Sequence, residues 1–180
     1  GSDSANDVTA VITTEDAYIE IVNGTASIET IPGETIVEIQ EAFEIILADN
    51  VPDQHSVQFS VTITSGDDEW ISSFNIVANA PIFEVESYTL LEIEGNNNGR
   101  IDPGETFQIT FPIVNNGHSA TPAFTATYAS SNPYLAYTNN QLEFESLSPE
   151  ATLDAGYIFT VSEDIPIPST IVFGFGIDAG

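Results

Sequence analysis

The chain has 180 residues, of which 28 are Asp or Glu against one Lys or Arg, for a formal net charge of −27. Such a surface excludes intrinsic nucleic-acid binding, which needs cationic side chains to neutralise phosphates, and disfavours an anionic membrane surface. With no Cys there is no disulfide framework, thiolate metal site or Cys nucleophile, whereas a 42% hydrophobic content can core one large or two small domains.

No stretch reads as a membrane span or a signal peptide. A chain this acidic repels itself when compact, and salt or divalent cations relieve the repulsion. Adaptation to a salty medium accounts for the same composition without excluding a bound cation.

From the N-terminus, residues 1–7 (GSDSAND) are small and polar and are expected to fray. Strand signals follow. Phe43, Ile45 and Leu47 alternate with their neighbours, as do Val57, Phe59, Val61 and Ile63. Further on the same period holds Phe107, Ile109, Phe111 and Ile113, then Phe124, Ala126 and Tyr128, then Ile171, Phe173, Phe175 and Ile177. Period two in β-branched and aromatic residues marks half-buried strands. Turn signals separate them, among them Asn23-Gly24, Pro32-Gly33, Ser65-Gly66-Asp67-Asp68 and Asn115-Asn116-Gly117. Glu34–Ala48 is the one helix candidate, but Val37 and Ile39 together with the Phe43 alternation fit strands as well, and strands are expected there. Evenly spaced short strands predict an all-β chain of β-sandwich type.

Glu94 to Glu105 (EGNNNGRIDPGE) has the spacing of a twelve-residue calcium loop. Such a loop places oxygens at positions 1, 3, 5, 7, 9 and 12 and Gly at 6. Those positions hold Glu94, Asn96, Asn98, the carbonyl of Arg100, Asp102 and Glu105, with Gly99 at the turn. Glu replaces the usual Asp at position 1. Calcium is a hard cation that takes six to eight oxygens. Short Asn side chains reach inward from a coiled backbone, and a long Glu closes the shell. The competing reading is an Asn/Gly-rich turn between two strands. Arg100 is also the one bond open to a protease that cuts after Arg or Lys, and a bound ion is expected to shield it.

The chain repeats itself. The segment from Val8 aligns with that from Phe124, with Tyr18 against Tyr134, Ile28 against Phe144 and Ile31 against Leu147. Phe43 and Ile45 then align with Phe159 and Val161, Val51-Pro52 with Ile165-Pro166, and Val57 and Phe59 with Ile171 and Phe173. One gap suffices, for a period close to 115 residues. On this alignment residues 8–80 are an incomplete unit holding the later strands of a repeat, and residues 81–180 are a unit with the calcium loop but without its last strand. About one and a half units are present. The absent strands are expected from neighbouring repeats or from copies of the chain by strand addition, or to be replaced by a merged core.

The run Asn96-Asn97-Asn98-Gly99-Arg100-Ile101-Asp102-Pro103-Gly104-Glu105, with the strand Phe107–Val114 and Asn115-Asn116-Gly117 after it, resembles the Ig-like β-sandwich repeats of bacterial secreted and surface proteins. These include repeats that trail the catalytic domain of gingipain-like cysteine peptidases. Asp49-Asn50-Val51-Pro52 and Ile63-Thr64-Ser65-Gly66 resemble the same modules. The resemblance implies an extracellular or cell-surface, non-catalytic, calcium-stabilised structural role. No peptidase domain is present.

Other groups read as bland. His55 and His118 lie in turns, and no G-x-S-x-G elbow supports a Ser/His/Asp set. Glu84/Glu86 and Glu143/Glu145 share strand faces, but no cleft marks them as glycosidase carboxylates. Asp67-Asp68-Glu69 lacks ligand spacing for a second cation. Trp70 alternates in phase with Phe74 and Ile76 and is expected in the core, although with the six Tyr residues it could form a platform for glycans. Asn23-Gly24-Thr25 fits a glycosylation acceptor, a common pattern. Non-catalytic calcium-stabilised module is therefore the first reading. A self-assembling fibre or sheath subunit and a carbohydrate-binding accessory module are the alternatives.

Overall fold

In the computed structural model, which describes residues 2–179, the chain is all-β, with fourteen strands and no helix among the described residues. It divides into two compact units at Asn79/Ala80.

The first unit holds β1 (Ala5–Thr13), β2 (Ile19–Asn23), β3 (Thr25–Ile31), β4 (Glu44–Leu47), β5 (His55–Ser65) and β6 (Asp68–Ala78). One sheet runs β3-β1-β5-β6, and β2 pairs with β4 in a second. Ile12, Val57 and Phe59 form the buried centre, with Ile19, Ile21, Phe43, Ile45 and Val61 packed against them. Both sheets therefore contribute to one core, which makes the unit a sandwich. β1 starts inside the stretch expected to fray, because Ala5 pairs with Ile31 and Asn6 with Thr30.

The second unit holds β7 (Phe83–Glu84), β8 (Thr89–Glu94), β9 (Thr106–Asn115), β10 (Phe124–Ala129), β11 (Leu135–Tyr137), β12 (Gln141–Phe144), β13 (Thr152–Val161) and β14 (Gly174–Asp178). One sheet runs β12-β10-β14, and the other β11-β13-β9-β7, with β8 on β9 as well. The alternation read in the sequence is the burial pattern. Phe107, Ile109, Phe111 and Ile113 of β9, with Tyr157, Phe159 and Val161 of the neighbouring β13, share one core with Phe124, Ala126 and Tyr128 of β10 in the other sheet.

The two units share a plan. The pair Val8↔Ile28 in the first is Phe124↔Phe144 in the second, and Ile12↔Val61 is Tyr128↔Phe175. The registers move the gap of the repeat. Ile19 pairs with Leu47 and Ile21 with Ile45, while Leu135 pairs with Val161 and Tyr137 with Phe159. Ile45 thus corresponds to Phe159 and Leu47 to Val161, so the gap lies before Ile45, not after it as sequence similarity suggests. Phe-on-Phe similarity outweighed a shift of two residues that preserves the face of every side chain.

Two further expectations are corrected. Residues 32–43 form no strand. Ile36 is 92% exposed, and Glu34 and Glu41 adopt positive φ, which breaks an extended run. Trp70 does share the inward face with Phe74 and Ile76, since their partners are Ile63, Phe59 and Val57. It is nevertheless 52% exposed, because β6 is the outermost strand and the facing sheet of this unit has only two strands.

Candidate metal centre

The loop between β8 and β9 is tied to β13 at its closing end. Gly104 N donates to Val161 O and Val161 N to Glu105 O. Glu105, at the last position of the predicted loop, is buried, and its carboxylate is the hub. Oε1 accepts the backbone N–H of Asn96 at 3.1 Å and Oε2 that of Asp102 at 3.0 Å. A long acidic side chain thus pins the first and last turns of the loop together.

The Asn residues coil the backbone between these pins. Asn96 Oδ1 accepts the N–H of Asn98, and Asn98 Oδ1 that of Arg100. Both are Asx turns, in which a short amide imitates a backbone carbonyl. Gly99 adopts a φ of 74°, a left-handed conformation that favours glycine. The Nδ2 groups of Asn96 and Asn98 converge on Asp102 Oδ2, at 3.2 and 2.5 Å. The Asn98 amide first, then that of Asn96, with the Arg100 charge adding less, hold the Asp102 carboxyl below its ordinary value. Asp102 is therefore an anion across the neutral range.

Five of the six predicted residues, Asn96, Asn98, Arg100, Asp102 and Glu105, belong to this one hydrogen-bonded coil. Glu94 stands apart from it. A bulge separates Glu92 from Glu94, so that Glu92 is opposite Phe107 and Glu94 opposite Thr106. Cross-strand partners point to the same face. Phe107 is buried in the core, so Glu92 turns inward and Glu94 is left exposed.

Glu92 is the residue that sequence reasoning misses. Its Oε1 accepts the backbone N–H of Asn97 at 2.5 Å, and its Oε2 is buried with no hydrogen-bond partner. At Gly95 a Cβ would lie 2.4 Å from Glu92 Oε1 and 2.6 Å from Glu105 Oε1. Only glycine admits two carboxylates so close to the backbone. The signal in the sequence is an acid two residues ahead of the expected one, which becomes readable only once the bulge is known.

The donor set is oxygen-rich and hard: three carboxylates and two amide oxygens around one coil, of the kind calcium takes. An orphaned carboxylate oxygen next to a glycine cradle fits a cation better than it fits a plain turn, since an unpaired buried anion is costly. The Asn amide nitrogens that face Asp102 satisfy its charge in this arrangement. Among the described residues no three His, Asp or Glu side chains are already arranged as a metal-binding group. Closure on an ion would therefore replace the amide donors around Asp102.

Elsewhere, His55 Nε2 lies 2.7 Å from Asp16 Oδ2, with the Tyr18 ring edge-on at 5.0 Å. The Asp16 carboxyl is held below its ordinary value by the Tyr18 N–H first and His55 second. This pair joins the β1–β2 connection to the start of β5. No protein-family model matches the chain, and no curated protein matches it in sequence.

Proposed function

We propose that the chain is a non-catalytic structural module of a secreted or cell-surface protein, stiffened by a calcium ion in the β8–β9 loop. Glu92, Asn96, Asn98, Asp102 and Glu105, with the Arg100 carbonyl, are the oxygens that would hold it. The single observation carrying the reading is the Glu92 carboxylate oxygen, buried without a partner beside the coil that Glu105 pins. An ion there would supply positive charge and nothing else. The residues do the mechanical work, since the loop joins β8 to β9 and, through Gly104 and Glu105, to Val161 of β13. Fixing it stiffens one end of the five-stranded sheet. The likeness of residues 96–105 to the loops of bacterial Ig-like surface repeats supports an extracellular setting, where calcium is abundant.

Extracellular calcium modules work at roughly 10⁻⁴–10⁻³ M. Binding confined to the folded form then adds about 1.4 to about 2.7 kcal/mol at about 10 mM calcium. The test is a thermal melt with calcium against one with chelator. A rise of several degrees with calcium and none with equal ionic strength of sodium is expected. Identical melts would end the reading.

A second reading, a subunit that assembles by strand addition, rests on the outermost strands. β6 leaves Trp70, Phe74 and Ile76 exposed on its inward face. Sedimentation over a range of concentrations separates this from a solitary module.

A further inference from the structure

The first unit supplies a template for the second. β5 has two neighbours. β1 pairs with it only over Ser60–Thr64, while β6 pairs along its whole length, His55–Ser65. The first half of β5, His55–Phe59, is therefore paired with β6 alone. Positions 60–64 correspond to 174–178 in the second unit, which is the extent of β14 and of its pairing with β10. Positions 55–59 correspond to 169–173, which form no strand. The second unit keeps the part of this strand that has a partner and lacks the part that in the first unit depends on β6.

A cleft of about 700 Å³ lies beside the outer edge of β14. Phe175 of β14 and the adjoining Phe173 line it, together with Tyr88, Leu90 of β8, and Ile109 and Phe111 of β9. Val172, also in this lining, is 69% exposed. Asp102 is the only carboxylate in the lining. An occupant must be extended, to pair with a strand edge, and apolar on alternate residues, to fill the cleft.

We propose that the outer edge of 169–178, with this cleft, is an acceptor site for one further antiparallel strand having the side-chain alternation of β6. The register follows from the first unit. The acceptor sees a Phe74-like residue opposite Phe173, an Ile76-like residue opposite Ile171 and a Trp70-like residue opposite Ile177. Phe74 stacks on Phe59 at 5.2 Å in the first unit, and Phe173 is the counterpart of Phe59. Binding converts 169–173 from irregular chain to strand. The site does not depend on the calcium reading.

The test adds a synthetic peptide, Asp68–Ala78, to the full chain in the presence of chelator, and follows amide hydrogen exchange. Saturable binding is expected, with new protection at 169–173 and stronger protection at Gly174–Asp178. A peptide carrying Phe74→Asp should bind at least about ten-fold more weakly, as loss of a central aromatic anchor does. The chain extended beyond Gly180 by an Asp and this strand, since Ala179-Gly180 align with Ser65-Gly66, should show the same protection without added peptide. A concentrated sample of the chain alone that dimerises with protection at 169–173, reversed by excess peptide, also supports the site and identifies a second copy's β6 as the donor. No saturable binding together with no protection in the extended chain would overturn the proposal. So would protection confined to residues outside 169–178.

Discussion

Glu105 holds Asn96 by accepting its backbone N–H on Oε1, although the two are nine residues apart. The same carboxylate accepts the N–H of Asp102 on its other oxygen, so neutralising it loosens both ends of the loop at once. Glu105→Gln should lower stability by about 1–3 kcal/mol without calcium and abolish the calcium-dependent rise. Glu92→Gln should differ in kind. It removes a buried unpaired charge, so the chelated protein should keep its stability or gain, while the response to calcium falls. Glu94→Gln should change neither, since that side chain is exposed. Paired melts of the three variants check this. A calcium response that depends on Glu94 and not on Glu92 would place the ion in the register read from sequence alone.

The Arg100 bond gives a kinetic readout of the same loop. Arg100 is exposed, and its N–H is held by Asn98 Oδ1 at 2.8 Å. Cleavage after Arg100 requires the coil to open into an extended chain. A bound ion would raise the cost of that opening by its own binding free energy, so trypsin should cut about ten-fold more slowly at calcium about ten times its dissociation constant. Equal cutting rates with calcium and with chelator would remove the shielding idea. A protease whose own activity is calcium-independent makes the control clean.

Much of the fold is legible in the residues. Phe107, Ile109, Phe111 and Ile113 announce β9 because a half-buried strand needs an apolar residue at every second position. The repeat is legible as well, since Val8 and Ile28, which align with Phe124 and Phe144, pair with each other as those two do. What escapes is set by geometry that does not follow from composition. The bulge at Glu92/Glu94 costs one residue and reverses a face, so an acid that looks like the first ligand turns outward. Ile36, Val37 and Ile39 look like strand residues, but no strand pairs with them. Trp70 has the phase of a core residue and is half exposed because burial depends on what lies opposite.

Tyr128 and Tyr157 stack at 5.2 Å, with ring planes 19° apart, and differ in one atom's fate. Tyr157 Oη donates to Ala126 O at 2.9 Å, whereas Tyr128 Oη is buried without a partner. Tyr128→Phe should therefore stabilise by about 1 kcal/mol, and Tyr157→Phe should cost about 1 kcal/mol. Alkali should tell the same story. Burial pushes the Tyr157 phenol up to about 12 and the Tyr128 phenol up further, the Tyr137 phenol adding to the latter. The unfolded chain releases these protons near pH 10, so the stability they confer is whole below that pH and is lost as pH rises through the folded values. Denaturant titrations at about pH 7 and about pH 11 check both points. A doubly substituted Phe chain should show the weaker decline.

Asn115 is the most fully used side chain in the second unit. It is completely buried. Nδ2 donates to Ser119 O at 2.8 Å and to Leu147 O at 3.0 Å. Oδ1 accepts the N–H groups of Ile82 at 3.1 Å and Gly117 at 3.0 Å. All four bonding positions of a primary amide are occupied. One residue thus joins the β7 approach, the turn after β9 and the loop after β12. Asn115→Ala would strand four backbone groups, and at about 1–3 kcal/mol for each one that water cannot reach, the loss should be on the order of 3–4 kcal/mol. Asn115→Asp is the sharper probe. It keeps both acceptors but turns the donors into an oxygen facing two carbonyls, so a charged carboxylate there is repelled while a protonated one can donate once. Its deficit against the parent chain should therefore shrink as pH falls toward the carboxylate range, measured by urea midpoints, whereas that of Asn115→Ala stays constant. A deficit for Asn115→Asp that does not change with pH would show that water enters this turn and that the amide is not its lock.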